Sequence, residues 1–312
     1  MNELQLATSH TVPARLYIGS SSWVDKNLVD SGRFYPPELK DTESRLAFYA
    51  QRFNLAEIDS TYYALPSRKN IERWAGAVPD GFRFSVKAFA LFTQHPTNMR
   101  SIPKSFHDAL PPEVRKKARV YYKDVPSEVS DELWRIFRGA LRPMREAAKL
   151  GAVLLDFPPW WVPNQTNREY LRVAREHLPD DNVLVEFRNR LWVAGDETAD
   201  ATFGLLRDLR CGFCCVDEPP GLASSFPPVA AVTAPVAAVR FRGRNAERWE
   251  DKSASTDEKL NWLYSDKELK EWLPRIDQLA AQAEEVYLTF NTKAEDQSVV
   301  NAGRLKKLLR HD

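Results

Sequence analysis

VLVEFRN, residues 183–189, runs through three apolar residues and then into Glu186, Phe187, Arg188 and Asn189. Seven other stretches share this form of apolar run with a polar or charged ending. They are RLYIGSSSW (15–23), LAEIDSTYY (55–63), FRFSVKAF (82–89), AVLLDFPP (152–159), GFCCVDEP (212–219), AAVRFRGR (237–244) and VYLTFNTK (286–293). Most are separated by helix-like stretches. Strand–helix alternation repeated eight times predicts a single α/β domain over residues 1–312, a closed (β/α)8 barrel of TIM type. Such a barrel carries its chemistry where the strands end.

The connections follow the same rhythm with two departures. Leu46, Tyr49, Ala50 and Phe53 recur at helical spacing in a first helix near Thr42–Phe53. Ser67 reads as the N-cap of a second, around Arg68–Val78. Further helices are expected near Ser130–Leu150, Asn167–Leu178, Thr198–Leu209 and Ser298–Leu309, with Gly151 ending the first of these. A longer helical region, Asp257–Glu284, carries a second N-cap at Ser265 and so is expected to break there. The first departure is the segment Leu91–Ser130, too long for an ordinary strand–helix loop and expected as an ordered insertion covering or flanking the strand ends. From there His95 or Gln94 would reach the site, with Arg115, Lys116 and Lys117 in solvent. The second is residues 218–236, with five prolines and no helical period, so the sixth helix is expected to be short or missing.

Composition narrows the partners. Lys and Arg total 44 against 43 Asp and Glu, a formal net charge of +1, so no global field recruits nucleic acid or an anionic membrane. No apolar run approaches the ~18 residues that span a bilayer. The opening MNELQLATSHTVPAR, read as a tail over residues 1–14, has no basic region followed by an apolar core, which predicts a cytoplasmic protein. Cys211, Cys214 and Cys215 fall together in one proposed strand and read as buried thiols, three being an odd number for a disulfide framework and one short of a zinc site.

Strand geometry decides which charges meet. Side chains two apart share a face, so Glu186 points with Arg188, Arg240 with Arg242, Glu57 with Asp59, and Ser85 with Lys87. A charge aimed outward would meet the apolar helix layer at a cost of several kcal/mol. These pairs are therefore expected to point into the barrel at its C-terminal mouth. One reading of them is a satisfied ring of ion pairs closing the core, which applies most to Glu57 and Arg240 deep in their strands.

The endings also resemble a known family. GSSSW, FYP (34–36), AEIDSTYY, RWAGAVPDGFRFSVKA, VLLDFPP, VEFRN, RFRGR and the late FNT with Asn301 and Ala302 resemble, in order and over nearly the whole chain, the YecE-like family, catalogued as domain of unknown function 72. The resemblance implies a TIM-type barrel and assigns no catalytic residue. Where family members commonly carry Asn, Gln and Asn-Asn, this chain has Asp59, Asp156 and Asn291-Thr292. The usual Thr-His pair after the strand-three lysine is Thr93-Gln94-His95 here, and the long insertion marks a subgroup.

At the mouth, Lys87, Arg188 and Arg240 could hold a phosphate or carboxylate, together with Asn291, Asp59, Ser20 and Trp23. Glu57, Glu186 and Asp217 could move a proton, with Glu186 orienting Arg188. Trp160 and Trp161 read as rim packing in preference to ligand stacking. A retaining glycosidase needs two carboxylates about 5–5.5 Å apart, in the barrels that do this after strands four and seven, and strand seven here ends in arginines. A Schiff-base lysine is disfavoured because acidic neighbours would raise the pKa of Lys87. No cofactor is expected, although Glu57, Asp59, Glu186 and Asp217 could ligate Mg2+ or Mn2+ through oxygen in competition with the arginines. Two function classes follow. One is an acid–base enzyme (hydrolase, isomerase or lyase) acting on a phosphorylated or carboxylated small molecule or nucleotide fragment. The other is a non-catalytic ligand- or nucleic-acid-binding protein, for which an open groove flanked by Arg242, Arg244 and Arg248 would be the sign.

Overall fold

Each apolar run forms a strand of one sheet. The strands are β1 (Arg15–Ser20), β2 (Leu55–Ile58), β3 (Arg83–Lys87), β4 (Leu150–Asp156), β5 (Val183–Glu186), β6 (Cys211–Asp217), β7 (Val236–Phe241) and β8 (Glu285–Phe290). All pair in parallel in chain order, and β8 closes on β1 through six residue pairs from Arg15–Glu285 to Ser20–Phe290. The computed structural model describes residues 14–311, so all of the expected N-terminal tail but Ala14 lies outside the described residues. None of the described helices is long and apolar enough to cross a membrane.

Around the barrel stand the helices Thr42–Ala50, Arg68–Gly76, Ser127–Ala140, Gln165–Glu176, Asp196–Asp208 and Gln297–His311. Among the described residues no helix stands between β6 and β7, where the prolines of 218–236 deny the backbone its N–H donors. The expected long helix at 257–284 is four short pieces between β7 and β8, starting upstream at Ala246. Ser265 caps one of them in a reciprocal box with Glu268. One expectation fails at Gly151. It does not end a helix, since Ala148 at φ 52° makes that turn and Gly151 lies inside β4. Its role there is room, because a Cβ would stand 2.4 Å from the Tyr287 hydroxyl across the barrel.

The interior is layered. At the N-terminal end Glu285 takes the Tyr287 hydroxyl at 2.6 Å and pairs with Arg15 at 2.8 Å and Arg83 at 3.2 Å. Tyr17, Leu55, Leu154, Leu184, Cys214 and Tyr287 fill the middle as an apolar cluster separate from the helix-layer core. The three cysteines are free and buried, and burial pushes the Cys211 and Cys215 thiols up to about 12. Above the apolar layer the interior turns ionic, and there the strands end.

β1 and β2 share only two residue pairs, Gly19–Leu55 and Ser20–Ala56. Tyr49 fills the gap, its hydroxyl donating to the Leu55 carbonyl at 2.8 Å and accepting from the Ser20 amide at 2.7 Å. A Cβ on Gly19 would fall 1.8 Å from that same carbonyl oxygen. Gly19→Ala should therefore part β1 from β2 and cost about 3 kcal/mol. Urea denaturation would detect it, and a midpoint equal to wild type would show that the two strands can separate freely.

Candidate functional site

Parity along the strands builds the site. Glu57 of β2, Glu186 of β5 and Arg240 of β7 are the next inward residues above the apolar layer, and all three are buried. Arg240 donates to Glu57 at 2.7 Å and, through its other terminal nitrogen, to Glu186. Arg242, two residues further on, donates to the second oxygen of Glu186 at 2.8 Å and lies 3.4 Å from Glu218, an ion pair without a formed hydrogen bond. Burial raises the pKa of Glu57 and of Glu218 against the pull of these arginines. Glu186 is thus saturated by Arg240 and Arg242, which corrects the expectation that it orients Arg188.

Over this ionic floor opens a cavity of about 430 Å³. Lys87, Asp156, Arg188, Arg240 and Asn291 line it with Glu57 and Asp59, so side chains from β2, β3, β4, β5, β7 and β8 or the residues just past them meet there. Lys87 pairs with Asp156 at 2.7 Å and lies over the Tyr62 ring at 4.4 Å. Burial works to raise the Asp156 carboxyl, but Lys87, with Arg188 behind it, holds it well below the usual carboxylate range. Asn291 accepts from Ser21 at 2.7 Å, while Lys293 reaches Asp25 at 2.6 Å and Asp59 at 3.7 Å.

Arg188 differs from all of these cations. It makes no ion pair or hydrogen bond among the described residues, and its Nε is buried without a partner. Burial, then the adjacent Arg242, lowers its pKa, so its positive charge is disfavoured where it stands. Asp156 Oδ1 and the Nε atoms of Arg240 and Arg242 are also buried and unpartnered, which places four of seven such atoms among the described residues at this one mouth. Buried polar atoms are normally satisfied, so their concentration marks a place that something else completes.

Residues 90–126 form short helical turns and a two-stranded sheet, Thr97–Asn98 against Arg119–Val120, before the helix at Ser127. The segment brings His95 to the cavity wall, and leaves Arg115, Lys116 and Lys117 exposed. The Thr93 hydroxyl donates to the Ala90 carbonyl at 3.3 Å and meets His95 Nδ1 at 3.0 Å. The contact fixes the orientation of the ring, and the tautomer sets which of the two groups donates. Burial lowers the His95 pKa from 6.5 to about 4. Because the folded pKa is depressed, the neutral ring favours folding above pH 6.5 and that contribution is lost as pH falls from 6.5 to about 4. A loss of about 3 kcal/mol over that window is expected, and His95→Gln should flatten it. Urea midpoints at the two ends of the window would measure this, and equal slopes in both proteins would refute it.

Three expected residues stand elsewhere. Asp217 points outward, where Trp272 donates to it at 2.7 Å, Arg244 at 2.8 Å, and the Tyr264 hydroxyl also donates. Cys214 is the inward residue of β6, so Asp217, three places on, lies on the opposite face, and Glu218 is the carboxylate that reaches the mouth. Ser20 likewise turns to the helix layer, bonding the Tyr49 hydroxyl at 3.1 Å, and Ser21 takes the inward place. Trp23 is core, packed edge-on to Trp74 and Phe84. The four carboxylates named for Mg2+ or Mn2+ are consequently not together, since Asp217 faces away and Glu57 and Glu186 are taken by Arg240. Trp161 is stacked on Phe157 and Trp192, whereas Trp160 is exposed beside His95. Of Arg242, Arg244 and Arg248, the first is buried, the second is held by Asp217 and Glu271, and the third pairs with Asp251. Of the three, Arg242 lines the cavity at the mouth.

Comparison with known proteins gives three kinds of match. The family model described as "Protein of unknown function DUF72" matches residues 17–312. UPF0759 protein YunF of Bacillus subtilis (strain 168) is 26% identical over 302 residues, covering 94% of each chain. The crystal structure of a DUF72 family protein from Thermotoga maritima is 28% identical with a TM-score of 0.74, covering 95% of this chain and 99% of that one. One from Enterococcus faecalis is 23% identical with a TM-score of 0.75 and covers 95% of each, a likeness of fold.

Proposed function

Since the chain belongs to the DUF72 family, whose description assigns no function, we propose from geometry that the barrel mouth is an enzyme site for a small anionic ligand. The observation that carries this reading is Arg188, a half-buried guanidinium with no ion pair or hydrogen bond among the described residues, at the wall of the cavity. A phosphate or carboxylate would supply the missing charge and accept the fork of donors that arginine presents. Lys87 stands across the cavity as a second cation, already neutralised by Asp156. Acid–base chemistry is supported by two groups whose environments push them apart, the neutral His95 ring as base and the Glu218 carboxyl, raised by burial, as acid. Glu57 and Glu186, expected to act on the proton, instead hold Arg240 and Arg242 in place. The buried and paired arginines of 240–248 favour a small molecule over a polymer.

The test is a thermal-shift panel of phosphorylated and carboxylated metabolites, nucleotides and divalent metals on the intact chain. A ligand present at 100 times its Kd should stabilise the protein by about 2.7 kcal/mol. A panel in which only divalent metals, and no anion, raise the melting temperature would replace this reading with a metal site.

A further inference from the structure

Of the cavities at the mouth, two have Arg188 in their walls. The second, of about 530 Å³, lies on the side of Glu218 and Trp249 and shares Arg188, Arg242, Thr256 and Leu260 with the first. The two walls differ in chemistry. The first is lined by five cationic side chains (Lys87, Arg188, Arg240, Arg242 and Lys293) and five carboxylates (Asp25, Glu57, Asp59, Asp156 and Asp257). It is thus balanced in charge and crowded with hydrogen-bonding groups. In the second, Pro159, Trp249 and Leu260 present apolar surface, Lys252 and Lys259 stand beside it, and its two carboxylates are engaged, Glu218 by Arg242 and Glu250 by Ser224.

We infer that the ligand is bipartite: a phosphodiester held at Arg188, with a hydroxyl-rich group in the first cavity and a flat apolar group against Trp249 in the second. This rests on the reading of Arg188 as the anion site. Two features select the diester. The shared wall offers one guanidinium without an ion-pair partner, which suits the single charge of a diester better than the −1.5 to −2 of a monoester at neutral pH. A carboxylate also carries one charge, but its carbon bears a single substituent, so two groups would have to branch beyond it, whereas a diester phosphorus bears one on each side. A polar group gains from the donors and acceptors of the first wall, and an apolar ring gains buried area against Trp249, Pro159 and Leu260.

Titration calorimetry on the intact wild-type protein tests this with three probes: glycerol 3-phosphate, phenyl phosphate, and the mixed diester glyceryl phenyl phosphate. The diester should bind at least about tenfold more tightly than either monoester, a difference of ~1.4 kcal/mol. Trp249→Ala should erase the advantage of both phenyl probes and leave glycerol 3-phosphate unchanged, while Arg188→Ala should weaken all three. If all three bind through Arg188 but the diester is no tighter than the better monoester, the bipartite ligand is wrong and the anion site stands. A diester preference that survives Trp249→Ala also overturns it, because the apolar group would then lie elsewhere. If Arg188→Ala changes none of the three, the anion site itself is lost. The wild-type comparison decides the question even if the Trp249 variant fails to fold.

Discussion

Arg240→Leu should lower the stability of the barrel by about 3–5 kcal/mol, the cost of removing one partner from a buried ion pair and stranding the other. Here two are stranded, because Arg240 holds Glu57 with one terminal nitrogen and Glu186 with the other, and all three side chains are buried to within 3% of full exclusion. Arg242 still covers Glu186, so the larger part of the penalty falls on Glu57. That residue can escape only by taking a proton. Its folded pKa, already raised by burial, would rise further, and the deficit should grow as pH increases through that raised value. Adding Glu57→Leu to the variant should return part of the loss, since a buried pair replaced by apolar groups is often neutral. Urea denaturation at two pH values measures both effects. A single variant within 1 kcal/mol of wild type at neutral pH would mean that water reaches the floor of the mouth and that these carboxylates are not dry.

Arg188→Ala should behave in the opposite way. No ion pair or hydrogen bond depends on Arg188, and Lys87 still holds Asp156 after its removal, which also relieves a guanidinium that burial and Arg242 already disfavour. Stability should be unchanged or slightly higher. Affinity for the anionic ligand should fall by about 2–5 kcal/mol, because the anion would then enter a buried site without its counter-charge. At the lower end that is about thirtyfold in Kd. Chemical denaturation and calorimetry on the same preparation separate the two quantities. If the variant instead unfolds and the ligand, where it still folds, binds as before, Arg188 is a structural element and the site lies elsewhere.

The barrel was legible because its evidence is redundant. Eight runs ending in polar residues, proline-filled 218–236 and the N-cap at Ser265 each point to one topology, and each can be checked against the others. The pairs Glu57–Asp59 and Arg240–Arg242 were placed at one mouth by the two-residue period alone. Asp217 was misplaced because β6, CGFCCVD, is apolar on both faces, as buried parallel strands are, and no alternation sets its parity. The inward sense of Cys214 decides it, and that becomes visible only when β5 and β7 are beside it. The same ambiguity affects Ser20, Ser21 and Ser22, identical residues of which Ser21 faces Asn291. Glu218 directly follows Asp217, and without the parity of β6 the sequence does not say which of the two adjacent carboxylates faces inward. The lone state of Arg188 has no signature in sequence, because it depends on Glu186 being taken by arginines 54 and 56 residues away.

The ion pair between Arg240 and Glu57 joins residues 183 positions apart. During synthesis Glu57 leaves the ribosome long before its counter-ion exists, and every N-terminal fragment that ends between residues 57 and 239 contains the carboxylate without it. Such a half-barrel would have to hydrate that end of its strands, and its unpaired last strand would stay open. Neither half of this chain closes its own sheet, and splitting it for complementation or truncation should yield aggregates through the unpaired strand edges.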